Sequence, residues 1–289
     1  SPFCIKKNKK MNISIQGIKG AFHEEAARLY FSNEIKVVEK LMFEDVIYSV
    51  EHKEAHAGVM AIENSISGTI HSNFELIKQS NLFIVGEVYL RIVQNLAVNE
   101  GVGINDLKQV ESHYMAINQC RSFFRNHPNI KLVDTEDTAL SMKNVAKSNS
   151  TSIGAIGSKL AAAYYGLKII NSSIETNKKN FTRFFVLKTN PSISKHNNKS
   201  SMLVVLKNQK GALANVLNCI NNNAIDLSKI ESLPIIGEPW HYQFYIEVLY
   251  KSELDYEKMK MELKIHVENI FELGCYIENN ITEAKQAQF

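Results

Sequence analysis

From Met11 onward, short apolar runs alternate with stretches whose apolar residues recur at helical spacing. Asn12–Gln16 reads as a strand, followed by the turn Gly17-Ile18-Lys19-Gly20 and a helix from about His23 to Phe31. Gly58–Ile62 is a continuous apolar run, the mark of a buried strand, and a polar loop and a helix near His71–Gln79 come after it. Leu82–Val85 and Ile92–Val98 predict two further strands. Asp106–Val110 leads into a turn and a helix over Met115–Arg125, Ile130–Val133 predicts a strand and Asp137–Ala146 a helix. Ser152–Ile156 gives a strand, Ser158–Tyr165 a helix stopped by Gly166, and Phe184–Leu187 closes the series. Strands alternating with helices imply an α/β fold with parallel sheets covered on both faces.

The pattern changes after Thr189–Lys199, a stretch rich in Ser, Thr and Asn that reads as a linker. Beyond it come a strand over Ser201–Lys207, a helix over Leu213–Asn222 and a strand over Leu227–Leu233. Tyr242–Tyr250 alternates as a strand, Glu253–Asn269 predicts a helix and Cys275–Glu278 a short final strand. That order, βαββαβ, is a ferredoxin-like unit. The expected domains are therefore residues 11–190 and 200–282.

Length and composition agree with this division: 289 residues, 45% hydrophobic, suffice for about two domains. A net charge of +3, with Lys and Arg interleaved among Asp and Glu, is no footprint for nucleic acid. The basic cluster Lys6-Lys7-Asn8-Lys9-Lys10 lacks the apolar stretch of a signal peptide, so residues 1–10 read as a loose tail. No run approaches the roughly 18 apolar residues of a membrane span. Cys4, Cys120, Cys219 and Cys275 lie far apart, with no CxxC pair, which argues against metal and disulfide frameworks. The expectation is a cytoplasmic protein without nucleic-acid or membrane partners.

Four polar segments interrupt the apolar pattern at strand ends. In Gly17–Glu24 two glycines let backbone amides converge at a helix N-terminus, a setting that favours an anion; an ordinary βα turn reads the same way. In Gly58–Gly68 a buried strand ends in Glu63, Asn64 and Ser65, at the carboxyl edge where open α/β sheets bind ligands; a helix cap is the alternative. Glu111–Cys120 brings Ser112, placed to cap the next helix, then His113 and Gln119, with Cys120 as packing. Ile174–Phe184 ends in Asn180-Phe181-Thr182-Arg183-Phe184, where Arg183 offers a guanidinium suited to a carboxylate and Thr182 a hydroxyl. No strand is followed by G-x-G-x-x-G, which speaks against a dinucleotide-binding enzyme.

In this order and at this spacing the segments resemble the prephenate dehydratase family, from Met11 to about Leu187. Asp137-Thr138-Ala139 and the Ala-rich helix ending in Tyr165-Gly166-Leu167 extend the match. The chain departs from the family's pattern at Ala61, often Pro, and at Tyr114 and Met115, often Pro-Gln. The resemblance implies a two-lobed, periplasmic-binding-protein-like domain, with residues 11–88 and 170–190 in one lobe and 89–169 in the other. It implies an active site in the cleft and chain crossings near residues 85–92 and 170. It implies conversion of prephenate to phenylpyruvate in L-phenylalanine biosynthesis, with no cofactor and no metal, because aromatisation itself drives the loss of carbon dioxide and hydroxide. By resemblance Thr182 is the donor to the departing hydroxyl, and a protonated Glu63 is the competing donor. Asn64 and Gln119 complete the catalytic set, and Ser65, Ser112, His113, Phe184 and Gly20 bind substrate. Arg183 takes the pyruvyl carboxylate. An arogenate dehydratase and an inactive amino-acid-sensing binding protein stay open as alternatives.

Residues 200–280 resemble an ACT domain, the amino-acid sensor often appended to these enzymes. Gly211-Ala212-Leu213-Ala214 matches its ligand loop, and Glu231-Ser232 begins its Glu-Ser-Arg-Pro motif, with Leu233 in place of Arg. Trp240, Tyr242 and Phe244 follow the family's aromatic spacing. The resemblance implies L-phenylalanine as an allosteric inhibitor and a homodimer or homotetramer formed through the ACT domains.

Overall fold

The computed structural model describes residues 10–238 and 241–279; the tail before Lys10 with Cys4, Trp240, and the end of the expected second domain lie outside the described residues. Two compact units emerge among the described residues, 10–69 with Val88–Phe184 in one, and Ile70–Glu87 with the described residues from Phe185 to 279 in the other.

The elements of the first unit start with β1 (Met11–Gln16), α1 (Phe22–Phe31), β2 (Ile35–Lys40), α2 (Phe43–Glu51), β3 (Ala57–Asn64) and the short β4 (Gly68–Thr69). β3 is buried through Ile62, as its unbroken apolar run requires. Helix α3 (His71–Gln79) belongs to the second unit, and β5 (Phe83–Arg91) runs from the second unit into the first. Next come β6 (Asn95–Val98), β7 (Gln109–His113), α4 (Tyr114–Phe124), β8 (Lys131–Thr135) and α5 (Thr138–Ser148). They are followed by β9 (Ile153–Gly157), α6 (Lys159–Tyr165), β10 (Lys168–Asn171) and β11 (Phe181–Lys188). One sheet has the order β2-β1-β3-β11-β5, with β4 on β3, and the other β10-β6-β9-β7-β8.

Both sheets are mixed. In the first, β1 pairs parallel with β2 and β3 while β4 is antiparallel to β3; in the second, β7 pairs parallel with β8 and β9 while β6 is antiparallel to β9 and β10. The sequence pattern predicted neither β2 and α2 nor β10. β2 alternates Ile35, Val37 and Val38 with lysines and Glu39 at a half-exposed edge, and β10 is four residues long. The chain passes from the first sheet to the second between Arg91 and Asn95, and returns between Asn171 and Phe181. These two passages are hydrogen-bonded to each other: Ile92 N donates to Asn180 O at 2.8 Å, and Ile174 N to Gln94 O at 2.8 Å.

The second unit contains β12 (Lys199–Leu206), α7 (Ala212–Asn222), β13 (Asp226–Pro234), β14 (Tyr242–Leu249), α8 (Glu253–His266) and β15 (Val267–Tyr276). Its antiparallel sheet runs β13-β14-β12-β15, the ferredoxin-like arrangement. Met202, Val204, Ile246 and Val248 meet Val216, Ile220, Met259 and Leu263 in the core beneath α7 and α8. The alternate face holds Tyr245, which packs 4.0 Å from Phe74 of α3. Two boundaries differ from the sequence pattern. Lys199 is the buried first residue of β12 rather than the end of the linker. The last helix stops at His266, and Val267–Tyr276 forms a ten-residue strand along β12 where only Cys275–Glu278 was expected. Gly274 of that strand comes so close to β5 that an added Cβ would lie 2.1 Å from Ile84 O. Among the described residues no helix is long and apolar enough to cross a membrane.

Candidate active site

The carboxyl end of β3 and the start of β11 are joined through two side chains. Ser65 makes three of these bonds: its N–H donates to Phe181 O at 2.8 Å, its hydroxyl accepts from Phe181 N at 2.9 Å and donates to Lys179 O at 3.1 Å. Asn64 Oδ1 accepts from the backbone N–H groups of Ile66 and Ser67, both at 2.9 Å. Since those groups can only donate, they fix which end of the Asn64 amide is oxygen.

That choice propagates. Asn64 Nδ2 donates to Asn180 Oδ1 at 2.8 Å and to Thr182 Oγ1 at 3.0 Å. Asn180 Nδ2 then faces Gln119 Oε1 at 2.9 Å, and Gln94 Nε2 donates to the same oxygen at 3.3 Å. Thr182, Asn64 and Gln119, distant in sequence, thus belong to one polar chain, with Asn180 as its bridge. Thr182 Oγ1 accepts a hydrogen bond while its own proton has no acceptor among the described residues. The same holds for Gln119 Nε2. Both are donors at the ready.

Glu63 and Arg183 lie one residue away on their strands, and side chains alternate faces along a strand. Arg183 Nη1 is 3.9 Å from Glu63 Oε2, and the guanidinium lies over the Tyr89 ring at 5.7 Å. The Arg183 side chain is only 5% exposed. Within the protein the Glu63 carboxylate is turned toward Arg183.

Other expected site residues take structural positions. Ser112 is fully buried and donates to Ile156 O at 2.7 Å, which ties β7 to β9; the cap of α4 is His113, whose Nδ1 accepts from Met115 N at 3.4 Å. Phe184 is buried and stands edge-on to His23 at 5.0 Å, so it belongs to the core. The Gly20 amide was expected to face a substrate anion, but it donates to Glu24 Oε2 of its own helix at 2.8 Å, and Lys19 N donates to Glu39 Oε1 at 3.0 Å. Close approach accounts for glycine at position 20, with a φ of +90°: its carbonyl accepts from Ser158 Oγ at 2.6 Å, and an added Cβ would sit 2.5 Å from Ala161 Cα. His23, enclosed by Phe43 and Phe184, accepts from Ala61 N at 3.3 Å, and burial lowers its pKa to about 3, which keeps it neutral. Cys120 is buried as expected, and desolvation pushes its thiol up to about 12.

Sequence reasoning missed the support of this chain. Glu175 is buried, and it accepts from Gln94 N at 3.0 Å and Ser173 Oγ at 2.8 Å, with Arg91 Nη2 at 3.6 Å. Asn180 carried a signal, standing inside the most specific motif. Gln94 carried none, since it interrupts an otherwise apolar run.

In the second unit, Gly211 has a φ of +77° and starts α7; Ala212 is buried, Leu213 half-buried and Ala214 exposed. Glu231 sits between His71 Nε2 at 2.6 Å and Lys229 Nζ at 3.3 Å, while Ser232 is exposed on β13 opposite Phe244. Leu233 is buried.

Known proteins resemble this chain in sequence and fold. A family model described as prephenate dehydratase matches residues 13–192. A bifunctional chorismate mutase/prephenate dehydratase of Buchnera aphidicola subsp. Schizaphis graminum is 37% identical over 288 residues, covering 97% of this chain and 74% of that one. A prephenate dehydratase from Arthrobacter aurescens, solved in complex with L-Phe, superposes with a TM-score of 0.83 at 25% identity, covering 92% of this chain and 90% of that one. GqqA, described as a novel type of quorum quenching acylase, superposes at 0.84 with 26% identity, over 94% of this chain and 99% of that one. The enzyme class defined by the family and its named relatives is that of a lyase. The chain belongs to the prephenate dehydratase family.

Proposed function

We propose that the chain converts prephenate to phenylpyruvate with Thr182 as hydrogen-bond donor to the departing ring hydroxyl, and that L-phenylalanine inhibits it through residues 200–282. The reaction breaks two bonds. Carbon dioxide leaves the ring carboxylate, the electron pair moves through the ring, and the C–O bond opposite breaks; one proton is taken up and water departs. Hydroxide is a poor leaving group, so the site's task is to supply hydrogen to that oxygen as charge develops. A positioned general acid typically contributes roughly 10²–10⁴-fold.

The single observation that carries this reading is the Asn64–Thr182 contact at 3.0 Å. Asn64 donates to the threonine oxygen, which polarises its O–H, and the hydrogen has no acceptor among the described residues. Glu63 is the weaker candidate because its carboxylate is turned to Arg183. Gln119 Nε2 is a further donor for the substrate, and from α4 its side chain reaches Asn180 on the returning passage between the sheets. In this reading residues 11–190 are catalytic, in two lobes, and residues 200–282 are an ACT domain that assembles homodimers or homotetramers. The βαββαβ order, the Gly211 loop and the L-Phe complex of the Arthrobacter aurescens neighbour support the regulatory half.

The test is phenylpyruvate formation from prephenate by the purified chain, followed by absorbance and repeated with millimolar phenylalanine. Catalysed formation that phenylalanine suppresses is expected. Absence of phenylpyruvate would remove the dehydratase reading; hydrolysis of an acyl amide in its place would align the chain with the acylase neighbour. An unchanged rate in phenylalanine would remove the regulatory half alone.

A further inference from the structure

Gln94 lies on the first passage between the sheets and is 3% exposed. Its backbone is fully used, with N–H donated to Glu175 Oε2 at 3.0 Å and C=O accepting from Ile174 N at 2.8 Å. Its side chain is half used. Nε2 donates to Gln119 Oε1 at 3.3 Å, while the buried Oε1 has no donor among the described residues.

Turning the amide over does not repair this. The order of the polar chain is set from its far end, where Ile66 N and Ser67 N hold Asn64 Oδ1, and each amide in turn dictates the next as far as Gln119 Oε1. A reversed Gln94 would put two carbonyl oxygens face to face and bury an N–H without an acceptor. A buried unpaired acceptor is unfavourable and rare in native structures, and an apolar side chain of the same length would avoid it. Its position beside Gln119, in the chain that ends on Thr182, points to a donor that arrives with the substrate.

Prephenate carries two carboxylates, a ketone and one ring hydroxyl, and only the hydroxyl has a hydrogen to give. Resting on the dehydratase reading of this site, we propose that Gln94 Oε1 accepts the hydrogen of the ring hydroxyl. That bond fixes the rotation of the O–H and turns an oxygen lone pair toward Thr182. Gln94 orients the leaving group and donates nothing to it.

The experiment is Gln94→Met, which keeps length and removes the acceptor together with the Nε2 donor to Gln119, whose oxygen still accepts from Asn180, compared with wild type in three measurements. The KM for prephenate is expected to rise about tenfold, the loss of one hydrogen bond, while the inhibition constant of keto phenylpyruvate, which lacks the hydroxyl, moves less than about twofold. The melting temperature is expected to hold or rise. Independently, crystals of Thr182→Ala soaked with prephenate are expected to place the hydroxyl oxygen within about 3.2 Å of Gln94 Oε1. An equal rise in both constants, an unchanged KM with a lowered melting temperature, or a hydroxyl bound away from Gln94 overturns the assignment. A wild-type chain without dehydratase activity overturns the reading of the site itself, a separate outcome.

Discussion

A threonine hydroxyl in water is a weak acid, and what distinguishes Thr182 is its surroundings: it accepts from Asn64, whose orientation is set by two backbone amides. Two other residues of the first unit contribute to the response to pH. His23 is neutral when folded, its pKa lowered by burial from 6.5 to about 3, so the unfolded chain binds the extra proton and stability falls as pH drops from about 6.5 toward 3. Glu25 is raised by burial from 4.5 to about 7, so the folded chain holds the extra proton and stability falls as pH rises from about 4.5 to 7. Between about 4.5 and 6.5 the two slopes oppose each other. Thermal unfolding of Glu25→Gln should therefore rise more steeply with pH over that window than wild type, and His23→Gln should fall. Parallel curves for wild type and Glu25→Gln would contradict this assignment. At this scale the sequence was legible where a motif stood at a strand end, as with Asn64 and Thr182. It was silent on Gln94, because an amide inside an apolar run reads as a strand interruption until its neighbours are known.

Elements depend on pairing as much as on local pattern. The chain from Glu253 to Asn269 reads as one helix, yet it turns extended at Val267 because β12 offers an edge on which Val267, Ile270 and Phe271 can pair. The same strand begins with Lys199, which a linker composition concealed. Its ammonium is buried against Glu87 Oε1 at 3.1 Å and Glu247 Oε2 at 3.3 Å, all three side chains nearly inaccessible. Removing this cation takes a buried partner from both carboxylates, and losing one partner of a buried ion pair costs about 3–5 kcal/mol. Denaturant unfolding of Lys199→Met should show a loss of that size; a loss under about 1 kcal/mol, the scale of an exposed pair, would mean the cluster is solvated.

For the whole molecule, the strand–helix alternation conveyed the α/β class and the final βαββαβ order, and the four polar segments led to the family. What the pattern missed was non-local: the edge strands β2 and β10, and the two passages between sheets whose hydrogen bonds carry Asn180 and Gln94 to Gln119. Gly20 and Phe184, expected to face substrate, make close contacts within the protein, since a glycine turn and an aromatic serve close approach as readily as ligand binding. Two donors divide the readings of the chemistry, and they sit on opposite faces of neighbouring strands. The decisive measurement is kcat for phenylpyruvate formation by Thr182→Val, which keeps shape and removes the hydroxyl, beside Glu63→Gln, which keeps shape and removes the acid. The account predicts a fall of roughly 10²–10⁴-fold in kcat for Thr182→Val, with Glu63→Gln within about tenfold of wild type. The reverse order would contradict it.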